Sequence, residues 1–203
     1  VAGKGLLIVV SGPSGAGKGT LCQALLARNP NLRFSVSVTT RPPRAGEVDG
    51  VHYFFWPEER FVEEVPKGYF LEWAMVYGRY YGTPVTQVEE ARRAGLDVLL
   101  DLDIQGARQV KQKLPDAALV FILPPSLEAL DERIARRATE SEEERRLRLD
   151  AALGFIRAAP EFDYVVVNDD LEKAVSELEA IIVAERCRAS RQLEVIRRFT
   201  GPA

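Results

Sequence analysis

Nine residues near the start of the chain, Gly12-Pro13-Ser14-Gly15-Ala16-Gly17-Lys18-Gly19-Thr20, carry the plainest chemical signal in this sequence. They follow the apolar run Leu6-Leu7-Ile8-Val9-Val10 and precede a helix-like segment with apolar Leu21, Leu25 and Leu26. A buried strand, a glycine-rich turn and a helix N-terminus in that order form a phosphate cradle. Successive backbone N–H groups and the helix dipole both point at the anion. Glycine lets the backbone approach closely, and Lys18 adds a mobile positive charge. In the usual pattern a hydroxyl follows the lysine directly. Here Gly19 stands in that place and the hydroxyl is on Thr20, which leaves the direct ligand of a phosphate-bound Mg²⁺ open.

Four further groups carry chemistry. The segment from Thr39 to Gly50 is rich in Pro and Gly and reads as a loop in which Arg41 and Arg44 flank Pro42-Pro43. Paired prolines stiffen the backbone, which suits two guanidinium forks converging on one phosphate; a solvated basic loop fits the same residues. Glu72 sits between apolar neighbours in the strand-like Tyr69-Phe70-Leu71-Glu72-Trp73-Ala74, either on a wet face or aimed into a pocket. Asp101 ends the apolar run Val98-Leu99-Leu100, where a carboxylate can hold Mg²⁺ or its waters beside phosphates, a role it fits better than Asp103. Residues 131–148 hold six arginines (133, 136, 137, 145, 146 and 148) against six acidic residues. Most of these arginines read as surface ion pairs, and a minority as a lid over a phosphoryl group.

These groups need a scaffold. Apolar strands at Leu6–Val10, Val98–Leu100, Ala118–Leu123 and Tyr164–Val167 alternate with helical segments, which predicts a parallel sheet covered on both faces with ligands where strands end. The segment from about Arg33 to Thr83 breaks the alternation and reads as an insertion, with strands at Phe34–Val38 and Val51–Trp56 and a short helix from Pro57 to Lys67. Thr83 is expected as an N-cap with Pro84 at the first helical position, and Asp169 or Glu172 as the cap of the helix from Leu171. Ser141-Glu142-Glu143-Glu144 is a capping-box signature. His52, the only histidine, has no Cys or His neighbour and reads as surface or packing.

With 203 residues, 46% hydrophobic and 28% charged, the chain fits a single globular domain. A net charge of -3 argues against nucleic-acid binding through bulk charge. Cys22 and Cys187 form no metal pair or disulfide framework, which points to a reducing compartment. No apolar run approaches the roughly 20 residues of a membrane helix. A cytoplasmic protein is expected, without nucleic-acid or membrane partners. From Glu185 onward five arginines face two glutamates, and this tail reads as a packing or dimer helix, so monomer and homodimer both stay open.

Taken in order, the glycine turn, Thr39-Thr40-Arg41-Pro42-Pro43-Arg44-Ala45-Gly46-Glu47, Glu72-Trp73-Ala74, Tyr80-Tyr81-Gly82-Thr83, Asp101-Leu102-Asp103-Ile104-Gln105-Gly106, Pro124-Pro125-Ser126 and Val167-Asn168-Asp169-Asp170 resemble the guanylate kinases of the nucleoside monophosphate kinase superfamily. The resemblance implies an α/β P-loop three-layer fold: a central parallel sheet, an inserted mixed α/β GMP-binding subdomain at 33–83 and a helical lid at 127–159. The core would then comprise 1–32, 84–126 and 160–203. It implies Mg²⁺-dependent transfer of the ATP γ-phosphoryl group to GMP, and to dGMP, in purine nucleotide metabolism and GMP recycling. On this likeness Ser37, Glu72, Thr83 and Asp103 face guanine, and Arg41, Arg44, Tyr53 and Tyr81 hold the GMP phosphate. Residues Gly12 to Thr20 and Asn168 take ATP; Lys18, Arg44, Arg133, Arg137 and Arg148 are catalytic; and Thr20 and Asp101 serve Mg²⁺ directly or through water. Ala138 departs from the family pattern, which has Gly after the lid arginine. A non-catalytic interaction module of the same fold, or a kinase for another nucleoside monophosphate, are the alternatives.

Overall fold

The computed structural model describes residues 4–76, 78–135 and 142–201, without the side chains of 134, 135, 142–145 and 147–149. The most apolar run becomes the central strand β1 (Leu7–Ser11), every residue of which is buried. A strand buried on both faces needs neighbours on both edges and helices on both sides. Strands β7 (Asp97–Asp101) and β8 (Ala118–Leu123) pair with β1, and β2 (Leu32–Phe34) and β9 (Tyr164–Val167) close the sheet in the order β2-β7-β1-β8-β9, all parallel. Leu6, Ile8 and Val10 point to one face, where they meet Leu21, Cys22 and Leu25 of α1 (Lys18–Arg28) and Ala174, Val175, Leu178 and Ile182 of α7 (Leu171–Cys187). Leu7 and Val9 point to the other, against Val88 of α3 (Val85–Arg93) and Ala107 and Val110 of α4 (Ile104–Lys113).

Between β2 and α3 lies a second, mixed sheet in the order β4-β3-β6-β5, made of β3 (Val38–Thr39), β4 (Phe54–Phe55), β5 (Phe70–Val76) and β6 (Arg79–Pro84). Its own small core is aromatic: Phe61 of α2 (Glu58–Glu64) stacks on Phe70 at 4.3 Å and on Tyr80 at 5.1 Å between ring centres. Between β8 and β9 run α5 (Leu127–Ala135) and α6 (Glu142–Ile156). The capping-box residue Ser141 and the lid position Ala138 lie outside the described residues.

Several local expectations need correcting. Phe34 to Val38 is not one strand: Phe34 ends β2 in the core sheet and Val38 begins β3 in the second, so the chain crosses between sheets there. Of Val51–Trp56 only Phe54 and Phe55 pair as a strand. Thr83 does not cap α3; β6 continues through Pro84, and the Thr83 hydroxyl donates to Glu72 instead. Asp170, not Asp169 or Glu172, caps α7, accepting from Lys173 N at 2.9 Å. A short helix, α8 (Leu193–Thr200), ends the described chain.

Charged side chains are buried as well, Arg92 among them. Arg92 of α3 is 1% exposed, with Nε donating to Gly5 O at 2.8 Å and Nη2 paired with Asp116 Oδ2. Replacing it leaves a buried carbonyl unsatisfied and a void along the aliphatic stem. Arg92→Ala is expected to cost at least about 2 kcal/mol in urea unfolding. A loss below about 0.5 kcal/mol would show that this contact is dispensable.

Candidate functional site

Three glycines with positive φ, Gly12, Gly15 and Gly17, shape the turn between β1 and α1. Gly12 has φ 146°, and a β-carbon there would lie 2.4 Å from the Ile122 carbonyl oxygen of β8. Gly17 occupies the N-cap of α1 in the left-handed region, with no side chain capping the helix. The first amides of α1 are therefore left for an anion, at the positive end of the helix dipole. Lys18 folds back over the turn, donating to Gly12 O at 2.8 Å and Pro13 O at 3.3 Å. Thr20 is exposed in the first turn of α1, and nothing lies within 4 Å of where a side chain on Gly19 would begin.

Two side chains brace the turn from behind. Asn168, at the end of β9 and 8% exposed, donates from Nδ2 to Ala16 O at 2.8 Å. Arg133 of α5 reaches Gly15 O at 3.5 Å and Asn168 O at 3.4 Å. Arg137 lies outside the described residues, as does the side chain of Arg148 on α6.

Parallel register places Asp101 opposite Val10, so the last residue of β7 stands beside the mouth of the turn. Its carboxyl keeps solvent access but is raised above the ordinary value by the surrounding protein, with Lys18 opposing that rise. Burial likewise pushes the Cys22 thiol up to about 12, with Asp101 adding and Lys18 opposing, so this cysteine is a poor nucleophile.

From Asp101 a cavity of about 200 Å³ runs to the second sheet, lined by Ser37, Tyr53, Glu72, Tyr81 and Asp103, together with Phe34, His52, Ala74, Val76 and Leu102. Glu72 is 4% exposed on β5, and its Oε1 accepts from Thr83 Oγ1 at 2.6 Å. Burial raises its carboxyl to about 7. The Thr83 bond and Lys113 oppose the rise, and Asp103 adds to it. Asp103 itself caps α4, accepting from Gly106 N at 2.8 Å. Tyr53 and Tyr81 meet edge to face at 6.0 Å, and burial raises the Tyr53 hydroxyl, with Tyr81 adding and Arg41 opposing.

The sequence reading missed two participants here. Glu47 grips Arg41 through two bonds of 2.6 Å and also accepts from Arg44 N at 2.7 Å, so one carboxylate organises both arginine positions. The Arg41 pair and the Arg44 amide hold Glu47 down at about 2. Arg41 also lies 5.0 Å over the Tyr53 ring. The only available signal was an acid six residues after Arg41 in a loop already full of turn residues. His52 is the second: its Nδ1 accepts from Val48 N at 3.0 Å, which closes the loop over the cavity wall.

This arrangement joins an anion-binding turn to a cavity whose far wall is a buried acceptor. It can hold two phosphorylated ligands end to end, one by backbone amides and one by side chains. Comparison with known proteins agrees in extent. A family model described as guanylate kinase matches residues 4–185. The guanylate kinase of Symbiobacterium thermophilum is 58% identical over 188 residues, covering 93% of this chain and 89% of that one. That of Caldanaerobacter subterraneus subsp. tengcongensis is 52% identical over 192 residues, covering 95% and 93%. Among solved structures, the crystal structure of guanylate kinase from Anaplasma phagocytophilum has a TM-score of 0.79 at 31% identity, covering 99% of this chain and 98% of that one.

The state of Glu72 is directly measurable. A carboxyl that holds its proton to about 7 when folded, against an ordinary 4.5, stabilises the fold in its protonated form. That stabilisation is complete below the unfolded value and is lost as pH rises through about 7, a change of about 3 kcal/mol. Carboxyl carbon NMR should show one glutamate titrating near neutrality, and Glu72→Gln should remove both that signal and most of this pH-dependent loss. A Glu72 titration near 4.5 would contradict the burial argument.

Proposed function

The chain belongs to the guanylate kinase family and is a nucleotide kinase, and we propose that it moves the γ-phosphoryl group of ATP to GMP with Mg²⁺, giving ADP and GDP. The observation that carries the reading is the single cavity that runs from Glu72 to Asp101 beside Lys18. We take residues 33–83 as the part that holds GMP and 127–159 as the lid over the transferring group.

Guanine presents two adjacent donors, N1–H and the 2-amino group. Ionised Glu72 accepts both: Oε1 keeps a lone pair beyond its bond to Thr83, and Oε2 supplies the other. Adenine would set a lone pair of its own against this carboxylate, and a buried acceptor left unpaired rejects the wrong base by roughly 10⁴-fold. Ser37, Thr83 and Asp103 complete the base site in this reading. Arg41, Arg44, Tyr53 and Tyr81 take the GMP phosphate, and Glu47 keeps the Arg41 fork in one orientation so that little side-chain freedom is lost on binding.

Residues Gly12 to Thr20 receive the phosphates of ATP through backbone amides, and Asn168 stands at the nucleoside end. Lys18 leaves the Gly12 and Pro13 carbonyls and follows the charge of the transferring group. Phosphoryl transfer needs positioning and positive charge far more than a strong base, since the GMP phosphate is already an anion. Arg44, Arg133, Arg137 and Arg148 supply that charge as the lid and the GMP-holding part close and exclude water.

Among the described residues no group of three His, Cys, Asp or Glu side chains could hold a metal. A site of one hydroxyl and one carboxylate, Thr20 and Asp101, suits Mg²⁺, a hard cation that keeps several waters and takes other ligands from phosphates. When bound there it would neutralise charge on the β- and γ-phosphates. Lys18 lies near enough to oppose the rise that burial imposes on the Asp101 carboxyl. We further propose a cytoplasmic enzyme of purine nucleotide metabolism and GMP recycling, monomeric or homodimeric, accepting dGMP and engaging neither nucleic acid nor membrane. Both cysteines are free, and among the described residues no helix is long and apolar enough to cross a membrane.

A panel of nucleoside monophosphates assayed with ATP and Mg²⁺ tests the reading, with GMP and dGMP expected as acceptors and AMP, CMP and UMP as poor ones. Lys18→Ala should lower kcat by roughly 10²-fold or more; an unchanged kcat would remove it from the chemistry. The ionised form of Glu72 is the acceptor, so GMP binding should weaken about tenfold per pH unit below about 7. Titration of the GMP phosphate contributes equally in Glu72→Gln, so the difference between the two pH profiles isolates the carboxylate. Identical profiles would contradict its role.

A further inference from the structure

Strand β5 forms the edge of the second sheet, yet its backbone is not left open around Glu72. Helix α4 supplies what a neighbouring strand would supply. The Gln109 carboxamide accepts from Trp73 N at 3.2 Å and donates to Trp73 O at 2.7 Å. Lys113 Nζ donates to Leu71 O at 2.5 Å and Phe70 O at 3.3 Å. The residues on either side of Glu72 are thus pinned to one helix. Gly106, one turn before Gln109, occupies the same face of that helix.

At Gly106 the helix touches the carboxylate itself. A β-carbon built there would lie 2.6 Å from Glu72 Oε2 and 3.2 Å from its Cδ, with Asp103 Oδ1 next at 3.4 Å. The first contact is shorter than any β-carbon tolerates, and the group it displaces is the end of a side chain, not the backbone. Thr83 fixes Oε1 from the opposite side. We propose that Gly106 is a specificity-determining positioning residue: the space left by its missing methyl group is where Oε2 of Glu72 sits, which sets the aim of the carboxylate at the base. This inference rests on the reading of Glu72 as the guanine acceptor.

Gly106→Ala separates this role from a structural one. Alanine favours the helix, so the variant should keep its Tm or gain up to about 3 °C. Displacing the acceptor by about an ångström should raise KM for GMP by 10- to 100-fold, with KM for ATP changed less than about twofold. In a Glu72→Ala background the methyl meets no carboxylate, and adding Gly106→Ala should change GMP use less than about twofold. Wild-type GMP kinetics in Gly106→Ala, or an undiminished penalty in the Glu72→Ala background, overturns the role of Gly106 alone. Normal GMP selectivity in Glu72→Ala overturns the parent reading and this one with it. If Gly106→Ala does not fold, recovery of folding by Glu72→Ala supports the proposal, and failure in both backgrounds overturns it.

Discussion

Parallel pairing of β1 with β7 is the constraint on which the rest of the structure depends. The register that sets Val10 against Asp101 brings a carboxylate to the mouth of the glycine turn, although ninety residues separate them along the chain. The same pairing delivers the chain from β7 into α4, which Asp103 caps and which packs along β5. A one-residue slip would turn Leu7 and Val9 toward the wrong helix layer and carry Asp101 away from Lys18. The two sheets are therefore joined by more than a linker: α4 packs on the core with Ala107 and Val110 and braces the second sheet with Gln109 and Lys113.

The site concentrates ionisable groups in unlike environments. Glu47 is accessible, doubly gripped and strongly acidic, while Glu72 is enclosed and holds its proton to about 7. Two carboxylates in one neighbourhood thus differ: one organises guanidinium groups, and the other, in the reading we propose, is the acceptor that discriminates between bases. Keeping Glu72 buried makes the fold less stable as pH rises through neutrality, a cost that the two guanine donors of the proposed reading would relieve.

How much of this was legible in the sequence depended on how local each signal is. The glycine turn, Lys18 and the apolar core strands were readable because a few consecutive residues define them. Glu72 was ambiguous because its strand says nothing about what covers it; the answer lies in α4, some thirty residues later, and in Thr83 across the sheet. Thr83 looked like a helix cap because Pro follows it, but a buried carboxylate competes for the same hydroxyl. Phe34 to Val38 alternates like one strand, yet its two ends serve different sheets. Asp169 and Asp170 are equivalent as letters, and only the path of the chain out of β9 chooses between them. The space at Gly106 has no sequence signal, since a glycine in a helix reads as a weakness until its neighbour is known.

The central claim is that one continuous cleft holds both nucleotides with their phosphates facing. A single molecule in which guanosine and adenosine are joined through a chain of phosphates tests it most directly, by calorimetric titration and by inhibition against each substrate. The account predicts one molecule bound per chain, competition with both GMP and ATP, and an affinity at least about 100-fold beyond either nucleotide alone, because the second half binds at high effective concentration. Competition with only one substrate, or an affinity no better than that of the tighter nucleotide, would contradict it.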